Sequence, residues 1–156
     1  MRRLALLVLP LALGACSVFG PGEAEVDLTV TLWPEEARAL DFSVEVGERR
    51  LGRDAFRDVD GRQFDGGPLA AAARQTDVTC TVSDGAASSA GTLRLDLEDG
   101  WEYGVSCIVG TAEQAAGCFG CRGSRSFALD PALGLAPTDS LFLVWGGDHR
   151  DSDVVY

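Results

Sequence analysis

Leu97-Glu98-Asp99-Gly100-Trp101-Glu102-Tyr103-Gly104-Val105-Ser106-Cys107-Ile108-Val109 is the stretch that decides the fold. Trp101, Tyr103, Val105, Cys107 and Val109 recur at every second position, the period of a strand with one face turned to a core. Asp99-Gly100 reads as a turn, because glycine adopts the left-handed conformation that a tight reversal needs. Upstream, Leu93, Leu95 and Leu97 alternate with Thr92, Arg94, Asp96 and Glu98. A strand, a turn at Asp99-Gly100 and a second strand bearing Tyr103 are therefore expected.

The same period runs outward from this stretch. Val26, Leu28, Val30 and Leu32 alternate with polar residues, as do Leu40, Phe42, Val44 and Val46, and then Val78, Cys80 and Val82. Residues 141–145 are apolar on both faces and suit a central strand late in the chain. Phe127 and Leu129 mark a weaker strand. Helical spacing is confined to 69–74 and 113–116. Six or seven short strands, each with one polar face, predict an all-β fold built as a single antiparallel β-sandwich. At 156 residues and 46% hydrophobic, the chain suits one domain with a core of ordinary size.

The stretch from Leu97 to Cys107 resembles the tyrosine-corner region of fibronectin type III and immunoglobulin-like domains. There a Leu ends one strand, and a Tyr early in the next bonds back to the turn between them. Leu97 and Tyr103 hold the matching spacing, and Val105 and Cys107 continue the inward positions. The resemblance implies an immunoglobulin-like sandwich over residues 26–156. Trp101 stands where those families usually carry a small residue, and 52–75 is longer than their usual mid-domain connection. Such sandwiches host many unrelated tasks, so the resemblance implies a fold and not a function.

The first residues read as an address. Arg2 and Arg3 precede an apolar run over 4–13, too short to cross a bilayer, which takes roughly 20 residues. It ends in Leu13-Gly14-Ala15-Cys16. This order resembles the lipobox of bacterial lipoproteins. It implies a signal peptide over 1–15, cleavage before Cys16, and lipid on the Cys16 thiol and on its new amine. Several acyl chains hold a protein at a membrane where a single chain does so only marginally. Ser17 resembles the outer-membrane sorting residue of Gram-negative lipoproteins. Residues 16–25, with Phe19-Gly20-Pro21-Gly22, read as the lipidated Cys and a flexible tether. The expected location is extracytoplasmic, anchored by lipid, and at the outer membrane if the source is Gram-negative.

Charge narrows the partners. The chain has 13 Arg, no Lys and 24 acids, a net −11, and loss of Arg2 and Arg3 would make it −13. Nucleic acid is excluded as a partner, because phosphate binding needs clustered cations. A body this acidic is also repelled by anionic lipid headgroups, so the lipid is the expected membrane contact.

Four cysteines remain beyond Cys16, an even number that suits a disulfide framework in an oxidising compartment. Cys80 shares its face with Val78 and Val82, and Cys107 with Val105 and Val109. Both point inward, so the expected bridges are Cys80–Cys107 and, locally, Cys118–Cys121. The Cys118-Phe119-Gly120-Cys121 motif has two other readings. A redox site wants it at a helix N-terminus, where the dipole lowers the thiol pKa, and Arg122-Gly123-Ser124-Arg125 reads instead as loop and strand. A four-thiolate zinc site usually takes two such pairs, and one is present.

Three further features carry weaker signals. Asp58, Asp60 and Asp65 lie on a glycine-bearing loop and are candidates for calcium, although neither the further ligands nor a closing Glu of an EF-hand are in register, and Arg57 and Arg62 partly neutralise them. The plainer reading is a solvated loop. Trp33 falls on the polar phase of its strand, where it can stack on a sugar or a partner, or cap the sheet edge. His149, the sole histidine, sits in a polar stretch with no GxSxG anywhere, so no catalytic triad is expected. No phosphate-cradling loop, dinucleotide fingerprint or cofactor signature is present.

These observations lead to an expected lipid-anchored envelope protein whose sandwich binds or scaffolds an envelope protein or cell-wall component and catalyses nothing. A module for carbohydrate or calcium on the same anchor is the alternative. A thiol-redox protein using Cys118 and Cys121 is the third reading.

Overall fold

The computed structural model describes residues 22–118 and 120–149. The expected signal peptide, Cys16 and most of the tether lie outside the described residues, as do Asp151 and Asp153. The elements are β1 (Glu23–Leu32), β2 (Asp41–Val46), β3 (Arg49–Gly52), β4 (Arg57–Asp58), β5 (Gln63–Ala72), β6 (Gln75–Ser83), β7 (Ser88–Asp96), β8 (Trp101–Gly110), the single helical turn α1 (Ala112–Ala115), β9 (Gly123–Ala128) and β10 (Ser140–His149). They form a six-stranded sheet in the order β4-β5-β1-β8-β10-β9 and a four-stranded sheet in the order β3-β2-β6-β7. The fold is all-β, as the alternation predicts.

The strand phases follow from the sequence. Val26, Leu28, Val30 and Leu32 of β1 are buried, and Val105, Cys107 and Val109 of β8 lie beside them. Phe42, Val44 and Val46 of β2, Val78, Cys80 and Val82 of β6, and Leu93, Leu95 and Leu97 meet them from the other sheet in one cluster. Phe42 and Phe64 touch across the gap, edge to face, with ring centroids 5.1 Å apart. Arg53 closes this end. Its guanidinium lies 4.6 Å from the Phe64 ring centre and donates to the carbonyls of Arg38 and Leu40. A planar cation suits such a place, because one face stacks while its N–H groups find acceptors.

Pairing is antiparallel except between β1 and β8, which run parallel and so correct the expectation of a wholly antiparallel fold. Parallel neighbours need a long connection, and here the whole of β2 to β7 supplies it. The β7–β8 reversal is held by Tyr103. Its hydroxyl donates to the Asp96 carbonyl at 3.1 Å and accepts from the Glu98 amide at 3.0 Å. Gly100 takes a φ of +74° in this turn. The Asp99 carboxylate accepts from the Glu23 amide, and the Gly100 amide donates to the Glu23 carbonyl, so the same turn fixes the start of β1.

Three further expectations change. Residues 69–74 are not helical, because most of them belong to β5, which pairs with β1 from Glu23↔Ala72 to Thr31↔Gln63. The register shifts between Leu28 and Thr29, leaving Gly66 without a partner. That bulge puts two inward residues, Phe64 and Leu69, an odd number of positions apart and breaks the period. Glycine is required there, since a Cβ on Gly66 would lie 2.6 Å from the Phe56 ring. Residues 23–25, read as tether, are strand, with Ala24 buried. His149, expected in a polar stretch outside the strands, ends β10 opposite Trp101.

Tyr103→Phe should lower unfolding stability by about 1 kcal/mol in urea titrations, because two backbone groups lose one shared partner. Val105→Asp should prevent folding, since it buries an unpaired charge at a fully enclosed site. A stable, folded Val105→Asp protein would contradict this packing.

Candidate binding cleft on the six-stranded sheet

The outer face of the six-stranded sheet is not plain solvent surface. Phe142 and Val144 of β10 and Ile108 of β8 point outward, away from the main core. Ala115 of α1 covers them in a second buried cluster, against which Trp33 and Cys121 also pack. The chain between β8 and β9 thus folds back over the sheet. Thr111 starts α1 with a capping box: its hydroxyl accepts from the Gln114 amide, and the Gln114 side chain accepts from the Thr111 amide. Gly110 allows this tight exit, because a Cβ there would collide with the Gln114 side chain.

The covering loop is closed by the expected Cys118–Cys121 disulfide, with Cα atoms 5.8 Å apart. It is seated on β10 by glycine. A Cβ on Gly146 would lie 2.6 Å from the Gly120 carbonyl oxygen. The Arg122 amide then donates to the Trp145 carbonyl at 2.7 Å and leads the chain into β9. The motif sits in a loop before a strand and not at a helix N-terminus.

Against this wall lies a groove of two adjoining clefts, 390 and 270 Å³, which share Ser106 and Cys118. Its floor is the outward row of β1 (Asp27, Thr29 and Thr31) beside that of β8 (Gly104, Ser106 and Ile108). Six strand steps from Asp27 to Trp33 give it a length of about 20 Å. Thr29 and Ser106 share a hydrogen bond of 2.7 Å across the floor. Gly104 and Gly146 face each other beside Asp27. One end carries Asp27, Glu102 and Asp148; the other carries Trp33, Arg62, Gln63 and Gln114.

Trp33 lies, as its phase predicts, on the outer side. Its ring is covered by the Arg62 guanidinium at 4.8 Å. Arg62 was legible in the sequence only as a charge neutralising nearby acids; that it stacks on Trp33 depends on the β4–β5 turn folding beside the end of β1. The calcium candidates are not brought together. Asp58 accepts from the Gly61 amide, Asp60 from those of Arg62 and Gln63, and Asp65 from the Gly67 amide and the Arg57 side chain. The backbone bonds from Gln63 and Arg62, then the Arg62 charge, hold the Asp60 carboxyl below its usual range. Among the described residues no three His, Cys, Asp or Glu side chains are placed to hold a metal ion.

Cys80 and Cys107 face each other from opposite sheets, both buried, and the structure carries them as free thiols. Burial, and then hydrogen bonding with Cys80, push the Cys107 thiol well above its ordinary value. It is therefore a poor nucleophile, since the thiolate is the reactive form.

Comparison of the chain with models of known protein families, with curated proteins and with solved structures returned no match.

Gly146→Ala should displace the disulfide loop without disturbing the main core. Faster reduction of Cys118–Cys121 by dithiothreitol, with the far-ultraviolet circular dichroism of the sheet unchanged, is the expected result; an unchanged reduction rate would show that the loop does not rest on Gly146.

Proposed function

We propose that this chain is a lipid-anchored protein of the bacterial cell envelope whose immunoglobulin-like sandwich is a non-catalytic binding module, and that the groove on its six-stranded sheet is the binding surface. The observation that carries the binding reading is the covered outer face. A sheet needing only a core could leave that face polar and flat. Here α1 and a disulfide-closed loop raise a wall on it and leave a floor of hydroxyls and glycine. The Tyr103 hydroxyl bonding back to Asp96 and Glu98 supports the immunoglobulin-like assignment. The Leu13-Gly14-Ala15-Cys16 motif supports the anchor. The non-catalytic reading is supported by the carboxylates of Asp58, Asp60 and Asp65 being spent on their own turns.

Two tests address the anchor and the surface. In the source bacterium, Cys16→Ser should abolish incorporation of labelled fatty acid; a wild-type protein that takes up none would remove the anchor. A photo-crosslinking side chain at Thr31, in the groove, should capture an envelope component, whereas one at Thr79, on the outer face of the other sheet, should not. Equal capture from both positions would remove the groove as the binding surface.

An oxidising compartment also bears on the buried thiols. There Cys80 and Cys107 would pass two electrons to a disulfide-donating protein, release two protons and form one S–S bond. Non-reducing peptide maps should show Cys80 linked to Cys107 in protein from the envelope. The closed loop of about 27 residues would add about 3 kcal/mol to unfolding stability. Linkage of either one to Cys118 or Cys121 would contradict the observed pairing of the two sheets.

A further inference from the structure

The Trp33 end of the groove reverses the character of the surface around it. The chain is strongly acidic, yet this cleft of 270 Å³ carries an arginine in a fixed position. Trp33 supports the Arg62 guanidinium from beneath at 4.8 Å. A stacked guanidinium has already lost much of its rotamer freedom, so less is lost when a ligand binds. Arg38 lies near enough to Asp60 to act on the same carboxylate. Both Arg38 and Arg62 keep a buried Nε without a hydrogen-bond acceptor among the described residues. Asp60, the acid lining this cleft, has an oxygen committed to the amides of Arg62 and Gln63.

Around the cation lie groups that both donate and accept. Thr31 and Ser106 stand on the floor, and Gln63 and Gln114 on opposite walls. Such groups match the vicinal hydroxyls of a sugar ring. They do not make a peptide site. β1 and β8 are each paired on both sides, so neither offers an open edge to a peptide backbone, and among the described residues of the lining Ile108 is the sole aliphatic side chain beyond the Trp33 ring.

We propose that the Trp33–Arg62 cleft binds a carboxylate-bearing carbohydrate, a uronic-acid type of sugar residue in an extended glycan, with Arg62 taking the carboxylate and Gln63, Gln114 and Thr31 the ring hydroxyls. The inference rests on the reading of this domain as a binding module and names its ligand class. Arginine meets a carboxylate through two parallel hydrogen bonds, which neutral sugars cannot offer.

Isothermal titration of the soluble domain with aldotriouronic acid, which carries one glucuronate, and with neutral xylotriose tests the assignment. Wild type should bind the acidic trisaccharide at least tenfold more tightly than the neutral one, and added salt should weaken it. Arg62→Gln should remove the preference, and Arg62→Lys, which keeps charge but loses the fork, should restore only part of it. Thermal unfolding of each variant verifies that the fold is retained. Equal affinity for both sugars, or an acidic preference that survives in folded Arg62→Gln, would overturn the proposal. Absence of binding to either sugar would also overturn it. Capture from Thr31 of a protein in place of a glycan would then leave the binding-module reading standing and replace its ligand, whereas no capture at all would remove both.

Discussion

Where Ile108 of β8 lies beside Phe142 and Val144 of β10, the pair is apolar on both faces, and the rest of the structure answers to that constraint. Leu141, Leu143, Val105, Cys107 and Val109 turn inward and require the four-stranded sheet as their cover. Ile108, Phe142 and Val144 turn outward and would expose a hydrophobic patch if left bare. The chain resolves this locally, folding the segment that links β8 to β9 over the face it has just left. The short α1 turn could not persist alone, because isolated helices below about 12 residues are marginal in water. Its cap, the disulfide and the contact of Ala115 with the sheet hold it together. The wall of the groove is thus a consequence of covering the sheet.

Much of this was legible. The inward phases of β1, β2, β6, β7 and β8 match the alternation, because period two survives on the core side of each, even in β8, where Ile108 is buried on the other face as well. The turn at Asp99-Gly100, which carries the chain from β7 in one sheet to β8 in the other, and the local Cys118–Cys121 pair follow from chemistry within a few residues. Residues 141–145 announced a strand covered twice, though not what covered its second face. β5 was illegible for an identifiable reason. Gly66 inserts one residue, and the small side chains of Ala70, Ala71 and Ala72 mimic helical composition where tertiary pairing with β1 decides the outcome.

The candidate site was legible only in parts. Trp33 showed its outward phase, yet its partner lies 29 positions further along the chain, on a turn whose location depends on β5. The aspartates of that turn looked like ligands because acids on glycine-bearing loops do resemble cation sites. Their carboxylates instead satisfy nearby amides, the commoner use of aspartate in turns. Hydrogen-bond direction, which no spacing rule carries, separates the two uses.

The parallel pairing of β1 with β8 has a kinetic side. Thr29 and Ser106, hydrogen-bonded neighbours on the groove floor, are 77 positions apart. Closing so long a loop costs chain entropy before any contact repays it, and domains dominated by such distant pairings fold in milliseconds to seconds. A chain emerging from its N-terminus can zip β1 to β5, and β2 to β6, well before β8 exists. One edge of β1 then waits open, with Thr29 and Thr31 unpaired along it. The groove floor is thus among the last parts of the sheet to form, and a nascent chain lacks its binding surface until β8 has docked.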